Sequence, residues 1–239
     1  MEVRRALAEN EELGESPLWP SLAIIAAAGL YADLPSRFIA GPGGGAFGAA
    51  RWAVPALTVI LLLALGVIRT RGPLARALDL APDTLHVTRR RLGLITIGVV
   101  SAANAASIGL LIHLLINGAL VAQASTLLRA AVHMWAVNVL VFALWFWQLD
   151  GGGPLERPRC VPADRDFLFP QQTEPVLMEK GWRPLFLDYL YVSFTNASAF
   201  SPTDTMPLSR WAKMLMLVQS AISLALAVMV VARAVNILH

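Results

Sequence analysis

A single cysteine, Cys160, occurs in the 239-residue chain. One thiol excludes an intrachain disulfide and any metal site built on paired thiolates, and Cys160 reads as an ordinary loop residue. Charge is scarce as well: Asp, Glu, Lys and Arg make up 15% of the residues, against about 25% in soluble domains. The net charge of +3 is too small to imply nucleic acid as a partner. The opening MEVRRALAENEELGESP is acidic and polar, and lacks the basic start of a cleaved signal peptide. No HExxH or comparable ligand spacing occurs, so neither a metal nor a cofactor is expected. His113 and His133 have no nucleophile–base spacing toward an acid such as Asp150 or Asp188. The chain therefore reads as no enzyme.

What is abundant is apolar. Hydrophobic residues make up 56% of the chain, and the mean hydropathy is +0.61. Several runs approach the ~20 residues that cross a bilayer as a helix. In lipid only helices or closed barrels satisfy every backbone group, and a barrel would need short alternating segments where these runs are continuous. The class is all-α, a polytopic helical membrane protein whose first partner is the lipid bilayer.

Four runs occupy the first 150 residues, at 18–34, 52–68, 92–117 and 130–149, and a fifth covers 211–238. The first is short and carries Pro20 and Gly29. Residues 1–17 then form a polar tail, 18–149 a four-helix membrane region, 150–184 a polar loop, and 185–239 a C-terminal membrane segment. Lys and Arg near span ends face the cytoplasm. The cluster Arg69, Arg71, Arg76, Arg89, Arg90 and Arg91 therefore puts the second connection inside, together with the N-terminal tail. The loop 150–184 returns inside with Arg157, Arg159, Arg165, Lys180 and Arg183. GPGGGAFG, at 41–48, has no Lys-Ser/Thr after it and reads as an outer turn rather than a phosphate cradle.

Few polar residues interrupt the spans. Asn104 lies in SAANAAS, at 101–107, where small residues recur on one helix face and allow close helix packing. Its amide needs a partner on another helix, because an unsatisfied amide in hydrocarbon is costly. His113, His133 and Asn138 are read the same way, as intramembrane polar packing groups. His113 and His133 lie near the outer ends of their spans, and Arg129 and His133 share a helix face.

The stretch FTNASAFSPTDTMPL, at 194–208, places a polar string just before the last apolar run. A helix over 185–199 would be only about 22 Å long, short of the ~30 Å core. That length predicts a re-entrant half-helix that stops part-way, with six full spans as the alternative. SPTD, at 201–204, reads as a helix start with Ser201 capping and Pro202 at the first position, unless Thr205 and Pro207 start it a turn later.

DYLYVSFTNASAFSPTD, two residues and a proline, followed by RWAKMLMLVQSAISLALAVMVVARAVNIL, resembles the pore module of the potassium-channel superfamily. The resemblance implies a pore helix over 188–197, a filter at 198–203, Asp204 as the acid after it, and an inner helix over 211–236. The same region is similar to a group of bacterial multi-helix membrane proteins to which no activity is attached. Potassium filters resemble TVGYG, whose glycines let successive carbonyls face the ion. Here 199–203 has no glycine, and Pro202 fixes φ near about −65°. An ion path would then be shaped by Asn196, Ser198, Ser201, Thr203 and Asp204.

Two functions follow as expectations. One is a channel-like homo-oligomer, a tetramer if the resemblance holds, passing small monovalent cations. The other is a non-conducting scaffold, sensor or partner subunit that keeps a degenerate pore-like hairpin. The Arg- and Ala-rich composition points to a bacterial plasma membrane.

Overall fold

The computed structural model describes residues 18–40, 50–67, 82–117, 124–154, 156–157, 164–179, 181–199 and 204–238. Helices dominate: α1 (Leu18–Ala32), α2 (Arg37–Ala40), α3 (Ala50–Val67), α4 (Pro82–Ile116), α5 (Ala124–Leu149), α6 (Pro175–Glu179), α7 (Phe186–Ala199) and α8 (Arg210–Leu238). β1 (Phe167–Leu168) and β2 (Met206–Pro207) form a short antiparallel pair, with Phe167 opposite Pro207 and Leu168 opposite Met206. GPGGGAFG, Cys160, Ser201 and Thr203 lie outside the described residues.

Among the described residues three stretches are long and apolar enough to cross a membrane: Arg90–Ile116, Ser125–Gly152 and Arg210–Val228. Leu18–Ala32 and Trp52–Leu65 are apolar but shorter. At ~1.5 Å per residue the 15 residues of α1 give about 22 Å. Helix α4 begins ten residues before the apolar run at 92. Pro82 suits the first helical position, and the polar first turns extend a helix whose apolar part alone is visible as a hydropathy signal. Hydroxyls inside the apolar helices are satisfied locally, Thr58 donating to the Val54 carbonyl, Thr96 to Leu92 and Ser101 to Ile97.

The chain divides into two compact units, one of Met1–Leu22 with Phe142–Ser220, the other of Ala23–Val141 with Ala221–His239. The second unit has an aliphatic core in which Leu34 and Phe38 pack with Leu111, Leu114, Leu127, Met134 and Leu226. In the first unit the polar loop 150–184 belongs with α7 and the start of α8 rather than standing apart. Its core is aromatic: Phe167 lies 5.2 Å from Phe146 and 6.2 Å from Tyr189, and Phe169 lies 5.2 Å from Tyr189 and 5.9 Å from Trp182.

The last helix starts later than SPTD predicts. Asp204–Ser209 is not helical, and α8 begins at Arg210, where the Ser209 hydroxyl accepts the Ala212 N–H at 3.1 Å. Two alternatives for the backbone decide this. Met206–Pro207 pairs with β1, the Leu208 N–H donates to the Asp166 carbonyl at 2.8 Å, and Ser209 is left as the first free cap.

Candidate functional site

In the first unit, α5 ends where Gly151, Gly152 and Gly153 all take positive φ. This turn needs glycine most at Gly153, where φ is 98° and an added Cβ would stand 2.8 Å from the Gln148 carbonyl oxygen. Just before it sits Asp150, fully buried. Its Oδ1 accepts the backbone N–H groups of Asp166 at 2.8 Å and Phe167 at 3.2 Å. Its Oδ2 accepts the Tyr189 hydroxyl and lies 3.5 Å from Nε of buried Arg157. Arg157 donates to three carbonyls, Asp150 at 3.3 Å, Pro184 at 3.5 Å and Trp147, and stands 4.7 Å over the Tyr189 ring. Burial holds the Tyr189 phenol well above its usual range, so it keeps the proton that it donates. One carboxylate thus ties together the end of α5, the entry to β1, and the first turn of α7.

α7 itself is 14 residues, about 21 Å, in the place where 188–197 was read as a pore helix. Asp188 caps it, accepting the Leu185 N–H at 2.7 Å. Its far end is stitched to α8. The Asn196 amide donates to the Met216 carbonyl at 3.0 Å and to Gln219 Oε1 at 2.8 Å, while Asn196 Oδ1 accepts from Ser220 at 3.2 Å. Gln219 in turn donates to the Ser193 hydroxyl at 2.7 Å and the Ser193 carbonyl at 2.9 Å. Ser193, Asn196 and Gln219 are all buried.

Helix α7 ends at Ala199, three residues beyond Asn196, and by Asp204 the chain lies near the first turns of the same helix. Asp204 and Thr205 line one open cavity of about 310 Å³ together with Asp188 and Tyr191 from the first turns of α7 and Phe169, Pro170 and Gln171. The helix therefore enters from the side on which α8 also begins.

The residues singled out from sequence fall into separate places. Asn196 is consumed by α8, and Ser198 is exposed with its hydroxyl returned to the Phe194 carbonyl at 2.8 Å. Asp204 is exposed at the cavity. In the second unit, Asn104 donates to the Met134 carbonyl at 3.3 Å while its Oδ1 has no partner among the described residues. Asn138 donates to Ser223 Oγ at 3.2 Å. His113 is exposed and contacts Asn117 one turn on. His133 faces the Arg129 carbonyl with Nδ1 at 2.7 Å and Asp33 with Nε2 at 3.0 Å. Among the described residues no cluster of three His, Cys, Asp or Glu side chains could hold a metal.

Sequence reasoning passed over Asp150, Arg157 and Tyr189 as a unit, and passed over Gln219. Periodicity cannot pair residues 39 apart. The available signal was compositional: a Gln at 219 inside an apolar helix and an Asp at the end of another each need a partner. No family model matches the chain, and no curated protein or solved structure matches it either.

Proposed function

We propose that this chain is an integral membrane protein whose α7–loop–α8 segment enters and leaves the bilayer on one side and lines a path for small cations in an oligomer. The observation that carries the reading is the return of the chain: Asp204 and Thr205 share a cavity with the first turns of the 14-residue helix that precedes them. A helix of about 21 Å with its exit beside its entrance does not cross a ~30 Å core. Backbone at such depth is tolerated where protein or water surrounds it. The carboxylates of Asp188 and Asp204 at that cavity favour cations, and no lining residue is basic. Four copies would place four such loops around one axis, as the resemblance to the potassium-channel pore module implies; the bacterial plasma membrane is the proposed location. Purified protein in vesicles should pass potassium or sodium, with Asp204→Asn lowering the flux severalfold. Vesicles that stay ion-tight at every voltage, or a monomer in native detergent, would defeat the proposal.

A second reading has its own support. Ser193, Asn196 and Gln219 satisfy one another so fully that the inner end of α7 offers its polar groups to α8 rather than to an ion. That arrangement suits a non-conducting scaffold, sensor or partner subunit. Stable protein with tight vesicles and no change on Asp204→Asn is the outcome it expects.

A further inference from the structure

The first turn of α8 turns two cations and an indole outward. Arg210 and Lys213 are exposed, and a spacing of three makes them neighbours on one helix face. Among the described residues neither side chain has an ion-pair or hydrogen-bond partner. Asp204, and Asp166 whose carbonyl holds the Leu208 N–H, form no ion pair with either among those residues. Trp211 beside them is 55% exposed, while Ala212, Met216 and Gln219 are buried on the opposite face.

Exposed apolar side chains flank this charged turn on both sides. Met206, 62% exposed, and Leu208 precede it, and Met214, Leu217 and Val218 follow it on the outward face of α8. Beyond Lys213 no charged residue occurs until Arg233. Arg210 and Lys213 lie within about 5 Å of one another along the axis, the depth of a single layer of phosphates. Water alone would solvate the cations but leave the apolar flanks uncovered. An amphiphile covers both, with its polar group on the cations and its chains on the apolar residues.

We propose that the first turn of α8 binds an anionic phospholipid, its phosphate held by Arg210 and Lys213 and its acyl chains lying along Met214, Leu217 and Val218. Trp211 takes the headgroup level, where an indole suits a surface apolar on one side and wet on the other. Charge selects the lipid class: a zwitterionic headgroup brings an ammonium that offsets its phosphate, whereas an anionic one leaves a net negative charge for two unpaired cations. The proposal rests on the reading of α8 as a membrane span and is independent of conduction.

The test uses full-length protein in vesicles of phosphatidylglycerol and phosphatidylcholine, with one lipid and then the other dibrominated to quench tryptophan. The chain has seven tryptophans, so the Trp211 signal is the difference between wild-type and Trp211→Phe protein. Wild type should prefer phosphatidylglycerol at Trp211 at least tenfold. Arg210→Gln and Lys213→Gln should each cut that preference about fivefold, the worth of one cation at an anionic surface. The double variant should fall close to parity with an unchanged melting temperature in neutral detergent, since both side chains are exposed. Equal quenching by the two lipids in wild type, or a preference retained in the double variant, overturns the site. Loss of the preference in millimolar inorganic phosphate also overturns it, in favour of a free anion. Failure of the membrane reading looks different: no tryptophan would then be quenched by either lipid, whereas equal quenching by both keeps the span and removes the lipid site alone.

Discussion

The two compact units differ in how far their buried polar groups are joined to one another. In the unit of Ala23–Val141 and Ala221–His239 the buried amides bridge pairwise: Asn104 donates to the Met134 carbonyl, its oxygen unpaired among the described residues, and Asn138 donates to the Ser223 hydroxyl. In the unit containing Phe142–Ser220 several are joined into networks, around Asp150 at one end of α7 and around Gln219 at the other. A single polar contact in an apolar bundle adds little, about 0.6 kcal/mol on average in a membrane, because alternatives to it also find partners. A network fixes geometry, since each member lost leaves others unsatisfied. The lesson is that the short helix α7, which has little length with which to hold itself in place, is pinned at both ends by such networks.

The largest break should come at Asp150. Asp150→Ala leaves Arg157 buried without its counter-charge and frees two backbone N–H groups and the Tyr189 hydroxyl. A loss of about 3–5 kcal/mol is expected in reversible detergent denaturation. An unfolding midpoint within error of wild type would show that the pin is not structural.

Gln219→Leu tests the inner end. It removes a donor from Ser193 and strands one Asn196 donor, and should cost up to about 3 kcal/mol. Protection of the α7 amides in hydrogen exchange should fall with it, while α4 amides stay unchanged. Equal loss in both helices would argue against local pinning.

Gly153→Ala should cost about 2 kcal/mol by forcing a Cβ against the Gln148 carbonyl at positive φ. Its effect should vanish in the Asp150→Ala background if both act through the same turn, which a double-mutant cycle would measure.

The smallest effect is expected at Asn104. Asn104→Leu removes a 3.3 Å bond and also the unpaired Oδ1, and the two changes offset to within about 1 kcal/mol. A loss above 2 kcal/mol would mean that Asn104 works as part of a network after all, and would erase the contrast between the units.

Much of the helical framework was legible because long continuous apolar runs fold as helices. The runs at 130–149 and 211–238 fall within α5 and α8, 92–117 overruns α4 by one residue, and 188–197 falls within α7. Helix ends were less legible. α4 begins at Pro82 because a polar first segment is helical without being apolar, and α8 begins at Arg210 because 206–207 is held in the β pair and Ser209 caps the helix after it. Of the candidate path residues, Asp204 reaches a cavity and Asn196 turns to α8, a difference no spacing rule distinguishes.

By itself the sequence determined the helical class, the apolar runs and the shortness of the helix before the last one, since each follows from composition and from the rise per residue. Only the tertiary structure decided which polar side chains meet. Asp150 and Tyr189, or Asn196 and Gln219, are brought together by chain turns, and contact across such separations depends on packing rather than on any local preference of the residues themselves.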